Sequence, residues 1–348
     1  MALLPISKTS LSTTIPMKLA DFDYTLPPEL IAQSPLKERS ESRLMILNQN
    51  SILHRHFKDI IDYFTQDDVL VLNNTKVIPA RLFGRKKTGG KIEVLLITKK
   101  STKEWSCLIK GKNINKGTEI SFTTGIKGTI LSKDNYNIKI TFNKNIDSWL
   151  EKNGQMPTPP YIKEKLTDTS RYNTVFAEKL GSIAAPTAGL HFTPELLEKI
   201  RAKGVHIVFI TLHAGLGTFL SVKEQNIENH HMHSEFFEIS KKTAAIINTR
   251  KRKLFICGTT ALRCLESACD KNGRIIPKSG FTHLFVYPPY KFKLSFDGII
   301  TNFHLPKSTL FMLISVIVGR EKLLETYQTA IQEKYRFFSF GDAMLALK

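Results

Sequence analysis

Five short polar segments between residues 184 and 309 combine histidine, threonine, asparagine, arginine and glutamate with glycine. They read Ala-Ala-Pro-Thr-Ala-Gly-Leu-His-Phe (184–192), His-Ala-Gly-Leu-Gly-Thr-Phe (213–219), His-His-Met-His-Ser-Glu (230–235), Gly-Thr-Thr-Ala-Leu-Arg (258–263) and Thr-Asn-Phe-His-Leu-Pro-Lys-Ser-Thr (301–309). Each stands where an apolar, strand-like stretch gives way to a turn or helix, the place where a rigid scaffold presents catalytic side chains. A histidine near neutral pH can take or give a proton. His191, His213, His230, His233 and His304 are therefore candidate acid–base groups, with Glu235 beside them. On an extended segment, His231, His233 and Glu235 would share one face at a spacing of two. That is the geometry of an acid–base cluster or of a two-histidine, one-carboxylate metal site.

Two glycine-containing turns are candidate ligand sites. In Leu-Phe-Ile-Cys-Gly-Thr-Thr (254–260) a strand ends in Gly258 and two hydroxyls, Thr259 and Thr260, just before a helix. Free N–H groups there could hold a ribose or an adenine edge, or the turn could be an ordinary threonine helix cap. Gly215, Gly217 and Thr218 follow a strand without forming a dinucleotide fingerprint. Arg263 and Glu266, three apart on the predicted helix, read either as an ion pair or as a substrate clamp.

The elements that must position these groups follow from periodicity. Thr193, Pro194 and Glu195 start a helix that Gly204 closes, and residues 205–212 read as a buried strand. Helices over 240–250 and 260–269 then alternate with strands at 254–257, 283–287 and 299–303, followed by helices over 308–318 and 321–335. Such alternation predicts an α/β body, a layered sheet with helices on both faces, and residues 21–65 read as helix and strand of the same body. Short alternating runs at 92–97, 105–109, 119–122, 128–131 and 136–142 predict an inserted small antiparallel β-barrel. The expected organisation is an α/β domain of 17–75 and 150–348 interrupted by a barrel domain at 76–149, with 1–16 a disordered extension.

Composition narrows the class. The 348 residues carry 50 Lys plus Arg against 31 Asp plus Glu, a formal charge of +19 that attracts polyanions such as nucleic acid, although a lysine-rich genome produces the same excess. Cys107, Cys257, Cys264 and Cys269 form no Cys-x-x-Cys pair and read as buried thiols in a reducing compartment. The longest apolar run, 310–318, falls short of the roughly 20 residues of a membrane span.

Taken in order, the motifs resemble the S-adenosylmethionine:tRNA ribosyltransferase-isomerase family of queuosine biosynthesis. The resemblance runs from Met17 to Leu347 and includes Asp-Phe-Asp-Tyr-Thr-Leu-Pro-Pro-Glu-Leu-Ile-Ala-Gln (21–33), Val-Ile-Pro-Ala-Arg-Leu-Phe-Gly (77–84), the five segments above and Tyr-Arg-Phe-Phe-Ser-Phe-Gly-Asp-Ala-Met (335–344). Asn74 and Lys76 replace the family's usual Asp and Arg, Pro288-Pro289-Tyr290 replaces a usual Pro-Gly-Tyr, and residues 1–16 are unmatched. The resemblance implies transfer and isomerisation of the ribosyl group of S-adenosylmethionine onto a 7-aminomethyl-7-deazaguanine (preQ1) at the wobble position of tRNA with a GUN anticodon. The product would be epoxyqueuosine-tRNA, with adenine and methionine released, in the bacterial cytoplasm and by a monomer without metal or redox cofactor. Under it, Gly258, Thr259, Thr260, Gly215, Gly217, Thr218, Arg263 and Glu266 become candidates for S-adenosylmethionine, and Arg39, Arg43, Arg81, Lys86 and Arg171 for tRNA. A tRNA-binding module without chemistry, or a metal-dependent hydrolase built on 230–235, are the competing classes.

Overall fold

The computed structural model describes residues 17–49, 51–134, 137–164, 166–215 and 222–348. Four strands come first: β1 (Arg43–Leu47), β2 (Ile52–His56), β3 (Val69–Asn73) and β4 (Thr75–Val77). A second group follows: β5 (Arg81–Lys86), β6 (Lys91–Lys99), β7 (Glu104–Lys110), β8 (Glu119–Ser121), β9 (Lys127–Asp134) and β10 (Asn137–Phe142). After α1 (Asp147–Asn153) and β11 (Lys179–Ser182), strands and helices alternate: α2 (Pro194–Ala202), β12 (His206–Leu212), β13 (Glu235–Ile239), α3 (Lys241–Thr249), β14 (Leu254–Cys257) and α4 (Thr259–Ala268). The chain closes with β15 (Lys278–Thr282), β16 (Gly298–Asn302), α5 (Thr309–Val318), α6 (Arg320–Gln332) and β17 (Ala343–Leu347).

Nine strands form one mixed sheet in the order β15-β13-β12-β3-β14-β16-β17-β1-β2. Its centre, β12, β3, β14 and β16, is parallel, while β13, β15, β17 and β2 each run antiparallel to a neighbour. Parallel strands are buried on both faces, and β3 shows it. Val69 and Val71 enter one core with α3, α4, α5 and α6, whereas Leu70 and Leu72 enter the other with α2 and the short helix Phe57–Tyr63. The expected layering is present, with helices on both faces.

The inserted strands close into a six-stranded barrel, β10-β7-β6-β5-β8-β9, around Leu82, Val94, Leu96, Trp105, Cys107, Ile120, Ile130 and Ile140. The chain enters and leaves the barrel at one place: Arg81 and Gln155 exchange two backbone hydrogen bonds of 3.0 and 2.8 Å. Thr193 caps α2 by accepting from the Leu196 N–H, and Ser240 and Ser308 cap α3 and α5 likewise, as their positions before apolar stripes predict.

Two expectations fail. Residues 283–287 are not a strand; the strand is Lys278–Thr282, a polar edge that alternation of apolar residues could not reveal, while Leu284, Phe285, Val286 and Tyr287 pack as irregular chain against the core. Among the described residues of 21–65 there is no α-helix, only 3₁₀ turns and two strands, so that local apolar spacing of three there marks short turns. The first sixteen residues lie outside the described part. Among the described residues, no helix is long and apolar enough to cross a membrane.

Candidate active site at the strand ends

The parallel strands end on one rim, and the polar segments converge there. β3 ends in Asn73, whose side-chain NH₂ donates to the Leu212 carbonyl (3.0 Å) and to Thr260 Oγ1 (3.3 Å), while its Oδ1 accepts from the Thr75 and Leu212 N–H groups. One buried amide thereby ties the ends of β3 and β12 to the first turn of α4. Asn74 accepts from Thr211 Oγ1 (2.7 Å) and donates to Glu178 (3.0 Å), so the residue in place of the family's usual Asp is itself fixed on both sides. At the end of β16, the Asn302 NH₂ donates to the Phe338 carbonyl, which turns its Oδ1 toward His191 Nε2 at 3.1 Å.

That hydrogen bond sets the His191 tautomer: Nε2 carries the proton, and Nδ1 accepts from the Ser42 hydroxyl at 2.7 Å. Burial is the main reason its pKa falls to about 4, so His191 is neutral. His304 is likewise buried, held by Thr301 Oγ1 at 2.8 Å, and burial pushes its pKa down to about 3. The Tyr24 hydroxyl donates to the His304 carbonyl. His213 is half-buried, with Nδ1 2.7 Å from Thr75 Oγ1, and burial lowers its pKa below the ordinary histidine value. Its other nitrogen rests on Gly181, where a Cβ would come within 2.7 Å of Nε2; at φ +148° this position belongs to glycine on both counts.

Gly258, at φ +89°, turns the chain from β14 into α4 and is itself the helix N-cap, with no side-chain cap. The threonine-cap alternative therefore fails: Thr259 and Thr260 lie inside the first turn, leaving first-turn N–H groups without intrahelical partners. A Cβ on Gly258 would meet only Thr260 Oγ1 at 3.6 Å and Ala188 at 3.9 Å. Space exists, but any substitution strains the backbone before it touches a ligand, so the turn cannot be probed there with the fold left unstrained.

Other expectations are corrected. Arg263 does not pair with Glu266. Its Nη1 donates to Glu235, both side chains being almost wholly buried, and its Nε donates to the Leu284 carbonyl. Arg263 Nη2 is buried without a hydrogen-bond partner among the described residues. Glu266 accepts from the Tyr290 hydroxyl and from the Lys293 and Leu294 N–H groups, which makes it the anchor of the 290–294 loop rather than a clamp. The shared face of His231, His233 and Glu235 is absent: Glu235 begins β13 and points into the core, while His231 and His233 precede the strand and are exposed. Glu235 also accepts from the Gly215 N–H at 3.0 Å, fixing the chain just beyond β12. His230 lies 3.2 Å from Glu224 and edge-on to Phe285. Among the described residues, no group of three or more His, Cys, Asp or Glu side chains is placed to hold a metal ion. Gly217 and Thr218 lie outside the described residues.

Each of the five basic candidates binds main-chain carbonyls. Arg39 donates to Leu190, Ser170 and Asn173, and Arg171 to Leu36 and Lys37, a reciprocal clasp between two distant segments. Arg43 donates to the Glu333 carbonyl and stacks over the Tyr335 ring at 3.7 Å. Arg81 donates to Thr158 and Lys86 to Lys112, both from barrel strand β5. Arg39 and Arg171 line a cavity of about 20 Å³ beside His191, together with Ser42, Arg336, Ser339 and Gly341. Sequence reading passed over Asn73, Asn302 and Ser42 as site residues. The available signal was an asparagine closing each of two fully buried strands, Val-Leu-Val-Leu-Asn and Gly-Ile-Ile-Thr-Asn, where a polar residue must find partners.

An α/β scaffold that collects neutral histidines, a glycine turn at a helix N-terminus and buried amides on one sheet rim is an enzyme-like architecture. The chain belongs to the queuosine biosynthesis protein family, whose model matches residues 19–346. It is 49% identical over 342 residues to a protein of Desulforamulus reducens named S-adenosylmethionine:tRNA ribosyltransferase-isomerase, covering 95% of this chain and 100% of that one. It is also similar to the crystal structure of S-adenosylmethionine tRNA ribosyltransferase from Thermotoga maritima, with 37% identity, a TM-score of 0.53, and 94% and 100% of the two chains covered.

Proposed function

We propose that this chain transfers and isomerises the ribosyl group of S-adenosylmethionine onto preQ1 at the wobble position of tRNA with a GUN anticodon, releasing adenine and methionine. The observation that carries this reading is the convergence on one rim of segments drawn from β3, β12, β14 and β16 in a chain with the family's full-length match. A sulfonium acidifies the neighbouring C5′ hydrogens and lets methionine leave as a neutral thioether. The protein then has to accept a proton from C5′, return one to adenine and exclude water. His213, neutral and half-buried at the rim, is the group best suited to accept that proton. The turn at Gly258 offers N–H donors to S-adenosylmethionine, and the basic surface attracts tRNA. The enzyme works as a cytoplasmic monomer, and no metal enters the chemistry.

Incubation with S-adenosylmethionine and preQ1-tRNA tests the proposal: adenine and methionine appear together, in equal amounts, and chelators leave the rate unchanged. Binding of tRNA without either product would make the chain a binding module, and activity lost on chelation and restored by a divalent ion would overturn the metal-free chemistry.

A further inference from the structure

His213 is the first ring of a row that runs outward across the sheet edge. It stacks on Phe236 with ring centroids 5.6 Å apart and planes 24° apart, and Phe236 meets Phe281 at 5.8 Å and 74°. Phe236 and Phe281 are cross-strand partners on β13 and β15, and alternation along β13 turns Phe236 and Glu238 away from the core that takes Glu235, Phe237 and Ile239. β15 is the outermost strand, and Phe281 is 64% exposed, more than any other large apolar residue among those described. A bare aromatic ring on an unpaired edge invites unwanted strand pairing, so its presence calls for a use. Lys179 flanks the row from the neighbouring β4–β11 pair, where Leu180 is 52% exposed; Lys179 lies 3.8 Å from Glu238, and both act electrostatically on His213.

We infer that the Phe281 ring, backed by Phe236 and His213, is a stacking platform for an unpaired base of the substrate RNA beside the modified nucleotide. This rests on the function proposed above. An aromatic face accepts any base, and a lysine at its border suits an adjoining phosphate, a combination that grips single strands without reading sequence. The row leads from solvent to a rim histidine, so a base seated on Phe281 would place its neighbour at the chemistry. An RNA duplex, with its bases already stacked, gains nothing from the ring.

Phe281 is exposed, so its replacement leaves the fold intact. Binding of an anticodon stem-loop, followed by fluorescence anisotropy, should weaken about 5- to 100-fold in Phe281→Ala and in Phe281→Leu, which keeps apolar bulk but no ring, and return to within about twofold in Phe281→Tyr. The slope of log Kd against log salt stays as in the unaltered protein, because no phosphate contact is lost, and S-adenosylmethionine affinity by calorimetry is unchanged. Full stem-loop affinity in Phe281→Ala, or full affinity in Phe281→Leu, overturns the platform. If the unaltered protein releases adenine on preQ1-tRNA while Phe281→Ala binds normally, only the platform falls; if the unaltered protein binds no stem-loop, the proposed function falls with it.

Discussion

Replacing Glu235 with Gln removes one charge from a pair whose side chains are 2% exposed on the glutamate and 4% on the arginine. The carboxylate accepts from Arg263 Nη1 with one oxygen and from the Gly215 N–H with the other, and Arg263 Nη2 has no partner among the described residues. An amide has one acceptor oxygen and turns N–H donors toward whichever neighbour it abandons. The guanidinium would then keep the Leu284 carbonyl as its one firm acceptor among these groups. Breaking one side of a buried pair costs about 3–5 kcal/mol, and the mismatched amide places Glu235→Gln near the upper part of that range. Urea unfolding followed by far-ultraviolet circular dichroism reads the helices of the α/β body, whereas fluorescence reads Trp105 in the barrel core and Trp149 packed against it. The dichroism midpoint should fall, and the double variant Glu235→Leu with Arg263→Met should regain most of the loss, because an apolar pair leaves no uncompensated charge. A stability loss below about 1 kcal/mol with turnover reduced about 10²- to 10⁴-fold would refute this structural role and make Glu235 a proton-transfer group.

Acid should destabilise the protein in a defined window. His191 and His304 are neutral when folded, with pKa values near 4 and 3, while the unfolded chain takes up these protons around pH 6.5. Stability should therefore be flat above about pH 6.5 and fall as pH drops toward 4, with His191 alone accounting for about 3 kcal/mol; His191→Gln should flatten the slope measured by urea titration, and an unchanged slope would refute the assignment. Gly258→Ala should cost about 1–3 kcal/mol of stability from its φ of +89° although a Cβ has room; an unchanged melting temperature would show that the turn relaxes without strain.

Much of this was legible where local rules act alone. Thr193-Pro194-Glu195 started a helix and Ser308 capped another because capping depends on a few adjacent residues. The barrel strands were legible because each is short, alternating and bounded by turns. β15 was not, since an edge strand with one buried residue has no alternation to read. The pairing of Arg263 with Glu235 joins residues 28 apart in sequence, and helical spacing pointed instead to Glu266. The carbonyl contacts of Arg39 and Arg171 were not legible for a related reason: a guanidinium satisfies carbonyl oxygens as readily as phosphates, and composition does not say which it has found.

The double hydrogen bond between Arg81 and Gln155 makes the barrel a closed excursion. Seen from the sheet, 73 intervening residues begin and end at a single point, so their length and internal order are almost invisible to the rest of the chain. The cost of closing such a loop grows only with the logarithm of its length. This is the arrangement that lets one module be exchanged for another during evolution or by design: a short glycine-rich bridge from residue 81 to residue 155 should leave the nine-stranded sheet able to form, and the barrel could diverge in sequence without disturbing the rim it is attached to.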